Sequence, residues 1–330
     1  MKILHTADWH IGSLRQIPNY LQRQESALNE LCDKTKKISP DVFIVTGDIY
    51  NSHTPTEEER NLILSTLTKL LIENPNMRII LLGGNHDWNK QDVSMLDGIS
   101  ISYAIAGTRF NVVCNAPKVI SISNCNFFCI PCQQNLTKHK VKILVKKAYR
   151  ENKKGNFYVC MHECFKSFND FGKELGKESL PRLKFVKYWM LGDIHKHQYI
   201  LNNAWYCGSL LQTNFGEKSK KGFVLIDNDK VTFHSIKSPK RLVEISQGEE
   251  VPKDCLVSYR ITDLEKINKN ELPSNVIQFD TYIKPKAVDV SLTSDDVTDG
   301  LAEFMATKFG YSEKMQRKSI EYIKKISNIV

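Results

Sequence analysis

The sequence predicts an α/β fold built in layers, followed by a smaller α+β accessory domain at the C-terminal end. Three observations lead there. The first half alternates apolar, β-rich runs with amphipathic segments. At 330 residues the chain exceeds the ~250–300 over which a single core grows, so a larger and a smaller part are expected. After Ile245 the texture turns polar, in Ser246-Gln-Gly-Glu-Glu-Val-Pro-Lys-Asp254, which sets the division at 1–245 and 246–330.

Lys2–Thr6 opens as a strand. Tyr20, Ala27, Leu28, Leu31 and Cys32 recur at helical spacing over 19–37, and Pro40 marks the exit into Val42–Thr46. Pro55 followed by Glu57, Glu58 and Glu59 starts a second helix, with proline in its first turn and carboxylates at the positive dipole end. Asn74-Pro75 stops that helix near Glu73, and Met77–Leu82 is the next strand. Short strands fill 111–132. Val141, Leu144, Val145, Ala148 and Tyr149 then form a stripe, so the helix over 138–154 is core on one side and lysine on the other. Strands follow at Phe157–Met161 and Tyr188–Leu191, and a hairpin pairs Gly222–Ile226 with Lys230–Ile236 around Asp227, Asn228 and Asp229. Beyond the polar stretch come a strand at Leu256–Ile261, a Pro/Asn-rich run, and two amphipathic helices near 294–309 and 312–328.

Composition excludes a disordered or collagen-like chain, since 41% of the residues are hydrophobic. The N-terminus reaches Asp8 and His10 before any apolar run of signal-peptide length, and no stretch approaches the ~18–20 apolar residues of a membrane span. A cytoplasmic protein with no membrane partner is expected. Nine cysteines, an odd number without framework spacing, fit reduced thiols. The net charge of +9 is unevenly placed: residues 138–187 hold 14 Lys+Arg and five Asp+Glu, so the rest of the chain sums to zero. Such clustering suits a polyanion such as DNA, from which it releases condensed counterions; on charge alone a solvated helix face serves equally well.

The chemistry lies at the strand ends. Asp8 and His10 follow the first strand, Gly47-Asp48 the second, Gly84-Asn85-His86-Asp87 the third, His162 the fourth and Gly192-Asp193-Ile194-His195 the fifth. In open α/β sheets the carboxyl ends of strands converge on one crevice. Singly, Asp and Asn at such positions read as caps or turns, and His162 as a core histidine. Their recurrence makes an oxygen/nitrogen ligand set suited to Mn²⁺ or a similar divalent ion.

In this order the five fragments resemble the motifs of the calcineurin-like metallophosphoesterase superfamily, whose catalytic domain is a layered β-sandwich flanked by helices. Within it the chain resembles the SbcD-type DNA nuclease subunits, the bacterial and phage relatives of the eukaryotic double-strand-break repair nuclease. Two stretches carry that resemblance: Ile3-Leu-His-Thr-Ala-Asp8-Trp-His10-Ile-Gly12, and Tyr206-Cys-Gly208-Ser209-Leu-Leu-Gln-Thr-Asn-Phe215-Gly216-Glu217 with Lys221-Gly222-Phe223. It covers about residues 1–245. It implies two divalent ions, Mn²⁺ first and Mg²⁺ second. Asp8, His10, Asp48 and His195 would hold one ion, Asp48, Asn85, His162 and Asp193 the other, with Asp48 bridging. His86 would be catalytic, stabilising charge on the phosphate and protonating the leaving O3′. The reaction implied is two-metal hydrolysis of DNA, 3′→5′ exonucleolytic and endonucleolytic, in recombination, repair or replication. The implied partner is an SbcC-type SMC-like ATPase, in a heterotetramer around a homodimer of this chain, docked by the C-terminal helices. One departure stands out: SbcD-type proteins commonly have His where this chain has Asp193. With Asp8 and Asp48 it makes three carboxylates across the two sites, which hardens the second site toward Mn²⁺ or Mg²⁺ and away from Zn²⁺.

Several residues carry weaker expectations. Asn51 and His53, beside the second motif, and Lys138, Lys142 and Lys146, on the basic helix face, are candidate DNA contacts. His53 and His197 otherwise read as solvated loop histidines. Cys129-Ile-Pro-Cys132 with Cys125, Cys160 and Cys164 lacks the second knuckle of a zinc site, which leaves buried thiols as the main reading. Two other functions stay open: a phosphatase or cyclic-nucleotide phosphodiesterase of the same superfamily, which needs neither the 208–217 segment nor the basic stretch, and a non-catalytic DNA-binding scaffold, which needs a broken ligand set.

Overall fold

The computed structural model describes residues 1–88, 94–102, 107, 109–133, 136–170, 172–237, 239–262 and 272–281. Its elements begin with β1 (Lys2–Thr6), α1 (Tyr20–Ile38), β2 (Val42–Thr46), α2 (Glu57–Glu73), β3 (Arg78–Leu82), α3 (Leu96–Ser102), β4 (Phe110–Val113), β5 (Lys118–Ile122) and β6 (Cys125–Ile130). Then follow α4 (Lys138–Glu151), β7 (Asn156–His162), the short pair β8 (Ser167–Phe168) and β9 (Glu174–Leu175), β10 (Tyr188–Gly192), β11 (Gln198–Leu201) and β12 (Ala204–Tyr206). The last are β13 (Gly222–Asp227), β14 (Lys230–Ser235), β15 (Arg241–Ser246), β16 (Cys255–Ile261) and β17 (Val276–Thr281). The helices expected near 294–309 and 312–328 lie outside the described residues.

The uninterrupted apolar runs of the sequence become strands whose successive side chains enter different cores. β2 is buried along its whole length, with Val42 and Ile44 in one core and Phe43 and Val45 in another. β3 divides likewise, Ile80 and Leu82 against Ile79 and Leu81, as does β7, Tyr158 and Cys160 against Phe157, Val159 and Met161. A strand covered on both faces has no polar alternation to show, and its period of two appears only in the sorting of apolar residues.

Two six-stranded sheets result, β14-β13-β1-β2-β3-β4 and β11-β12-β10-β7-β6-β5. Between them lies a core of Ile3, Ile44 and Ile80 with Phe127, Cys129, Tyr158, Met190 and Trp205. On the outer face of the first sheet Leu28 and Leu31 of α1 and Ile63, Leu67 and Leu70 of α2 cover Phe43 and Val45. On the outer face of the second, Val141, Val145 and Ala148 of α4 join Phe157, Val159 and Trp189. This α-β-β-α stack is the layered β-sandwich flanked by helices. Burial of each such large apolar side chain contributes roughly 1.5–3 kcal/mol. β15, β16 and β17 form a separate three-stranded parallel sheet, and the polar stretch 246–254 connects its first two strands.

Some boundaries differ from those the sequence suggests. Pro55 stands outside α2, whose N-cap is Thr56; its side chain accepts the Glu59 N–H and Glu59 returns a bond to the Thr56 N–H. The Glu59 carboxylate also holds Arg15 at 2.6 Å and the Tyr20 hydroxyl at 3.1 Å, which ties the loop after β1 to α2. α4 stops at Glu151, because Asn152 turns its amide onto the Ala148 carbonyl. His197 is half-buried instead of solvated: it stacks on Phe233 and bonds the Tyr206 carbonyl at 2.9 Å.

Candidate metal centre

β1, β2 and β3 run parallel in one sheet, and β7 and β10 run parallel in the other. Their C-terminal ends share an edge, and the loops that leave them interlock. Asp8 N–H donates to the Gly47 carbonyl and His10 N–H to that of Asp48; the Asp193 N–H donates to Asp8 Oδ1 and the His86 N–H to Asp48 Oδ1. His162 crosses between the sheets, with Nδ1 2.8 Å from the Thr46 carbonyl.

The backbone at this edge is strained. Asp8, His10, Asp48 and Asp193 all take positive φ, of 50°, 44°, 50° and 92°. Each such non-glycine residue costs about 1–2 kcal/mol, and such outliers concentrate at functional sites. Gly47 combines a φ of 87° with contact against the His162 ring, and a side chain at Gly84 would collide with Asp48.

Seven expected ligands come together here. Asp48 Oδ2 lies 3.4 Å from His10 Nε2, and Asp48 Oδ1 lies 3.4 Å from His162 Nε2. Asn85 Oδ1 is 2.9 Å and Asp193 Oδ1 3.6 Å from His162 Nε2, while His195 Nε2 is 2.9 Å from His10 Nε2. Two groups have ligand atoms all within 4.8 Å of one another: His10, Asp48 and His86, and Asp8, Asp48 and His162. Asp48 belongs to both.

The donor chemistry fits cations. A carbonyl only accepts, so the Thr46 carbonyl makes His162 Nδ1 an N–H and leaves Nε2, which faces Asn85 Oδ1 and Asp48 Oδ1, as the atom a cation would take in place of its proton. Glu217 Oε1, 2.7 Å from His195 Nδ1, does the same for His195. Nε2 of His10 thus faces both His195 Nε2 and Asp48 Oδ2. Asp8 Oδ2 and His10 Nδ1 are buried with no hydrogen-bond partner, an arrangement that costs about 1–3 kcal/mol per group when nothing compensates. Burial pushes Asp8 up to about 6 and His10 down to about 3. Burial also opposes the charge on Asp48 and on His162, yet their attraction prevails: Asp48 falls below the usual carboxylate range and His162 rises well above the ordinary histidine value.

His86 is exposed; its Nδ1 lies 2.8 Å from the Asn51 carbonyl, and its ring stands edge-on to that of His10, with centroids 4.8 Å apart. Asn51 thereby positions the His86 ring through its backbone carbonyl. His53 is exposed on the same loop. Lys138, Lys142 and Lys146 are exposed on α4, opposite Val141 and Val145. α4 leaves the C-terminal end of β6, which is parallel to β7, so Lys138 is the nearest of the three to the ligand-bearing edge. Its ammonium bonds Ser179 Oγ at 2.8 Å.

Two positioning residues escaped the sequence reading. Asp87 is fully buried and accepts the N–H groups of Ile49, Tyr50 and Gly84, which fixes the loops that carry Asp48 and His86. Burial and the nearby Asp48 push its carboxyl up to about 7. Glu217 orients His195 and is itself held by Lys221 at 2.8 Å and by Thr213. Both carboxylates stand inside motif stretches, where residue type alone gives no role. The nine cysteines are free, seven of them buried, and neither ligand group among the described residues includes one. Burial pushes the Cys160 thiol well above its ordinary value, away from a thiolate ligand. Among the described residues no helix is long and apolar enough to cross a membrane.

The model of the calcineurin-like phosphoesterase family matches residues 1–197. The chain is 27% identical to the D subunit of the SbcCD nuclease of Staphylococcus epidermidis over 285 residues, which cover 76% of this chain and 73% of that one. It is likewise 27% identical to the corresponding SbcCD nuclease chain of Staphylococcus saprophyticus, over 75% and 72% of the two chains. Among solved structures, TT1561 of Thermus thermophilus superposes with a TM-score of 0.46 at 12% identity, over 71% of this chain and 98% of that one.

Proposed function

The chain belongs to the calcineurin-like phosphoesterase family, and from that premise we propose that it is the nuclease subunit of an SbcCD-type assembly, hydrolysing DNA phosphodiesters with two divalent ions. The observation that carries the reading is Asp48, shared between two groups of converging ligands. The division of the ligands follows the family pattern, in which Asp8, His10, Asp48 and His195 hold one ion and Asp48, Asn85, His162 and Asp193 the other, whereas the two geometric groups place Asp8 beside His162 and His86 beside His10. When bound, such a pair clamps the phosphate and lowers the pKa of the attacking water.

The chain's own residues do the rest. Asp87 and the Thr46 carbonyl hold Asp48 and His162 in place before substrate arrives. The Asn51 carbonyl fixes an N–H at His86 Nδ1, so Nε2 faces the substrate; protonated there, His86 stabilises charge on the phosphate and gives its proton to the leaving O3′. The names of the two staphylococcal relatives, both nucleases, support a nucleic-acid substrate over small phosphoesters. Residues 1–245 serve as the nuclease domain, with 246–330 as an accessory region that meets an SbcC-type ATPase, and Mn²⁺ is the proposed metal.

The test is incubation of the purified chain and MnCl₂ with an end-labelled DNA duplex, and separately with bis(4-nitrophenyl) phosphate. Cleavage of both, absent in Asp48→Asn and at least ~10²-fold lower in His86→Ser, is expected. Hydrolysis of small esters alone would assign the chain to the phosphatases of the family, and cleavage that survives in both variants would refute the site.

A further inference from the structure

Away from the metal centre, a concentration of positive charge surrounds a pocket of about 270 Å³. Arg23, Lys218, Lys220, Lys237, Lys240 and Arg241 line it. Among the described residues none of the six forms an ion pair, although the chain has many carboxylates. The Arg23 guanidinium is half-buried and donates to the Lys240 carbonyl at 3.0 Å; that of Arg241 donates to the Lys218 carbonyl at 2.8 Å. Neither bond neutralises the charge. Three carboxylates touch residues of the lining, yet none pairs with a cationic side chain of the six: Glu30 accepts the Lys237 backbone N–H, Asp170 takes the Ser219 N–H and hydroxyl, and Glu217 is held by His195 and Lys221. With six cationic side chains in its lining, the pocket favours an anionic ligand. Its volume falls just under the ~300–1,000 Å³ of whole small-molecule sites, which suits a phosphate with part of its nucleotide.

The place of the pocket in the fold connects it to the metal centre. β13 runs antiparallel to β1, pairing Val224 with His5, so β13 begins at the edge where β1 ends. The pocket lies where β13 starts and β14 finishes. Lys221, also in the lining, reaches Glu217 at 2.8 Å, the His195 carbonyl at 3.0 Å and Ser209 Oγ at 2.9 Å. Glu217 in turn holds His195. One ion pair and one hydrogen bond therefore separate the pocket lining from an expected metal ligand.

We propose that this pocket is a second phosphate subsite, which grips the backbone of the DNA strand away from the bond being cut. The proposal rests on the nuclease reading above and adds a place where the uncut part of the substrate is held. It differs from the basic face of α4, and its cations come from three separate stretches of the chain.

The test uses the full chain with Lys218→Gln/Lys220→Gln/Lys240→Gln. These lysines are exposed, and no side-chain bond of theirs holds the fold. Binding to a DNA duplex is measured in EDTA across a range of salt concentrations. For every phosphate no longer neutralised, the slope of log K against log salt falls by about 0.9, or about eightfold in affinity at 0.1 M relative to 1 M. A slope smaller by at least about one is expected, with the KM for DNA raised and kcat unchanged in manganese, and bis(4-nitrophenyl) phosphate hydrolysis unchanged. The triple Lys→Arg variant should keep the wild-type slope. An unchanged slope in the Gln variant overturns the proposal. So does weaker binding of inorganic phosphate or deoxyadenosine monophosphate with DNA binding intact, which would make the pocket a site for free phosphate. If the wild-type chain cuts neither DNA nor the aryl ester, the nuclease reading fails, while the salt slope still decides the pocket.

Discussion

Gly84→Ala isolates one steric demand of the metal centre. Gly84 has φ −97° and ψ 179°, a conformation alanine adopts freely, so the substitution stores no backbone strain. Space is the obstacle. A Cβ there would stand 2.8 Å from Asp48 Cγ and closer still to Asp48 Oδ1 and N, inside the 3.0 Å that real Cβ atoms keep. Asp48 cannot withdraw without cost, because its Oδ1 accepts the His86 N–H at 3.0 Å and its backbone carbonyl accepts the His10 N–H at 2.9 Å. A displacement on the order of 1 Å at a reacting site costs about 10²-fold in rate. Overpacking of the fold costs about 1–3 kcal/mol. Because Asp48 belongs to both ligand groups, both proposed metal sites are disturbed at once. The assay is manganese-dependent hydrolysis of bis(4-nitrophenyl) phosphate, with Gly98→Ala as control, since nothing lies within 4 Å of a Cβ at Gly98. Loss of about 10²-fold in Gly84→Ala and none in Gly98→Ala is expected. A folded Gly84→Ala within threefold of wild type would refute the steric account of the site.

Other outcomes follow from the same geometry. Glu217→Gln removes the charge that holds His195 and strands Lys221, so manganese affinity, read from the metal dependence of activity, should fall about 10–100-fold. His5 accepts the Trp205 indole N–H at 3.1 Å and lies 2.8 Å from Thr46 Oγ1, and burial brings its pKa down to about 3. Between pH 6.5 and 3 the unfolded chain gains a proton that the folded chain refuses, so stability falls with falling pH by about 1.4 kcal/mol per unit. Urea denaturation at pH 6.5 and 5.0 should show this loss, reduced by about 1.5–2 kcal/mol in His5→Gln. The carboxylate at Asp193 should favour manganese or magnesium over zinc; strong activity in zinc with none in manganese would contradict that, and Asp193→His should raise the share of activity that zinc supports.

What the sequence made legible were the long buried strands and the residues at their ends. Val42–Thr46 and Arg78–Leu82 are apolar almost throughout because both faces are covered, and that texture marks them without any neighbour being known. The short, half-buried β11, the two-residue strands β8 and β9, and the seven-residue α3 carry too few periodic positions to stand out. The ligands were readable through repetition at five strand ends, whereas Asp87 and Glu217 act by what the fold brings back onto them. Glu217 lies 22 residues from the His195 it orients. The basic pocket was hidden for a related reason. Its cations come from α1, from 218–220 and from 237–241, so no window of sequence shows the charge that the fold assembles, whereas the run at 138–187 is contiguous.

The central claim is a two-ion centre bridged by Asp48. Crystals grown with MnCl₂ and measured at the manganese absorption edge test it most directly. Two anomalous peaks per chain are expected, ~3.5–4 Å apart, one beside His10 and His195, the other beside Asn85 and His162, with Asp48 between them. A single peak, or peaks that leave Asp48 uncoordinated, would contradict the account.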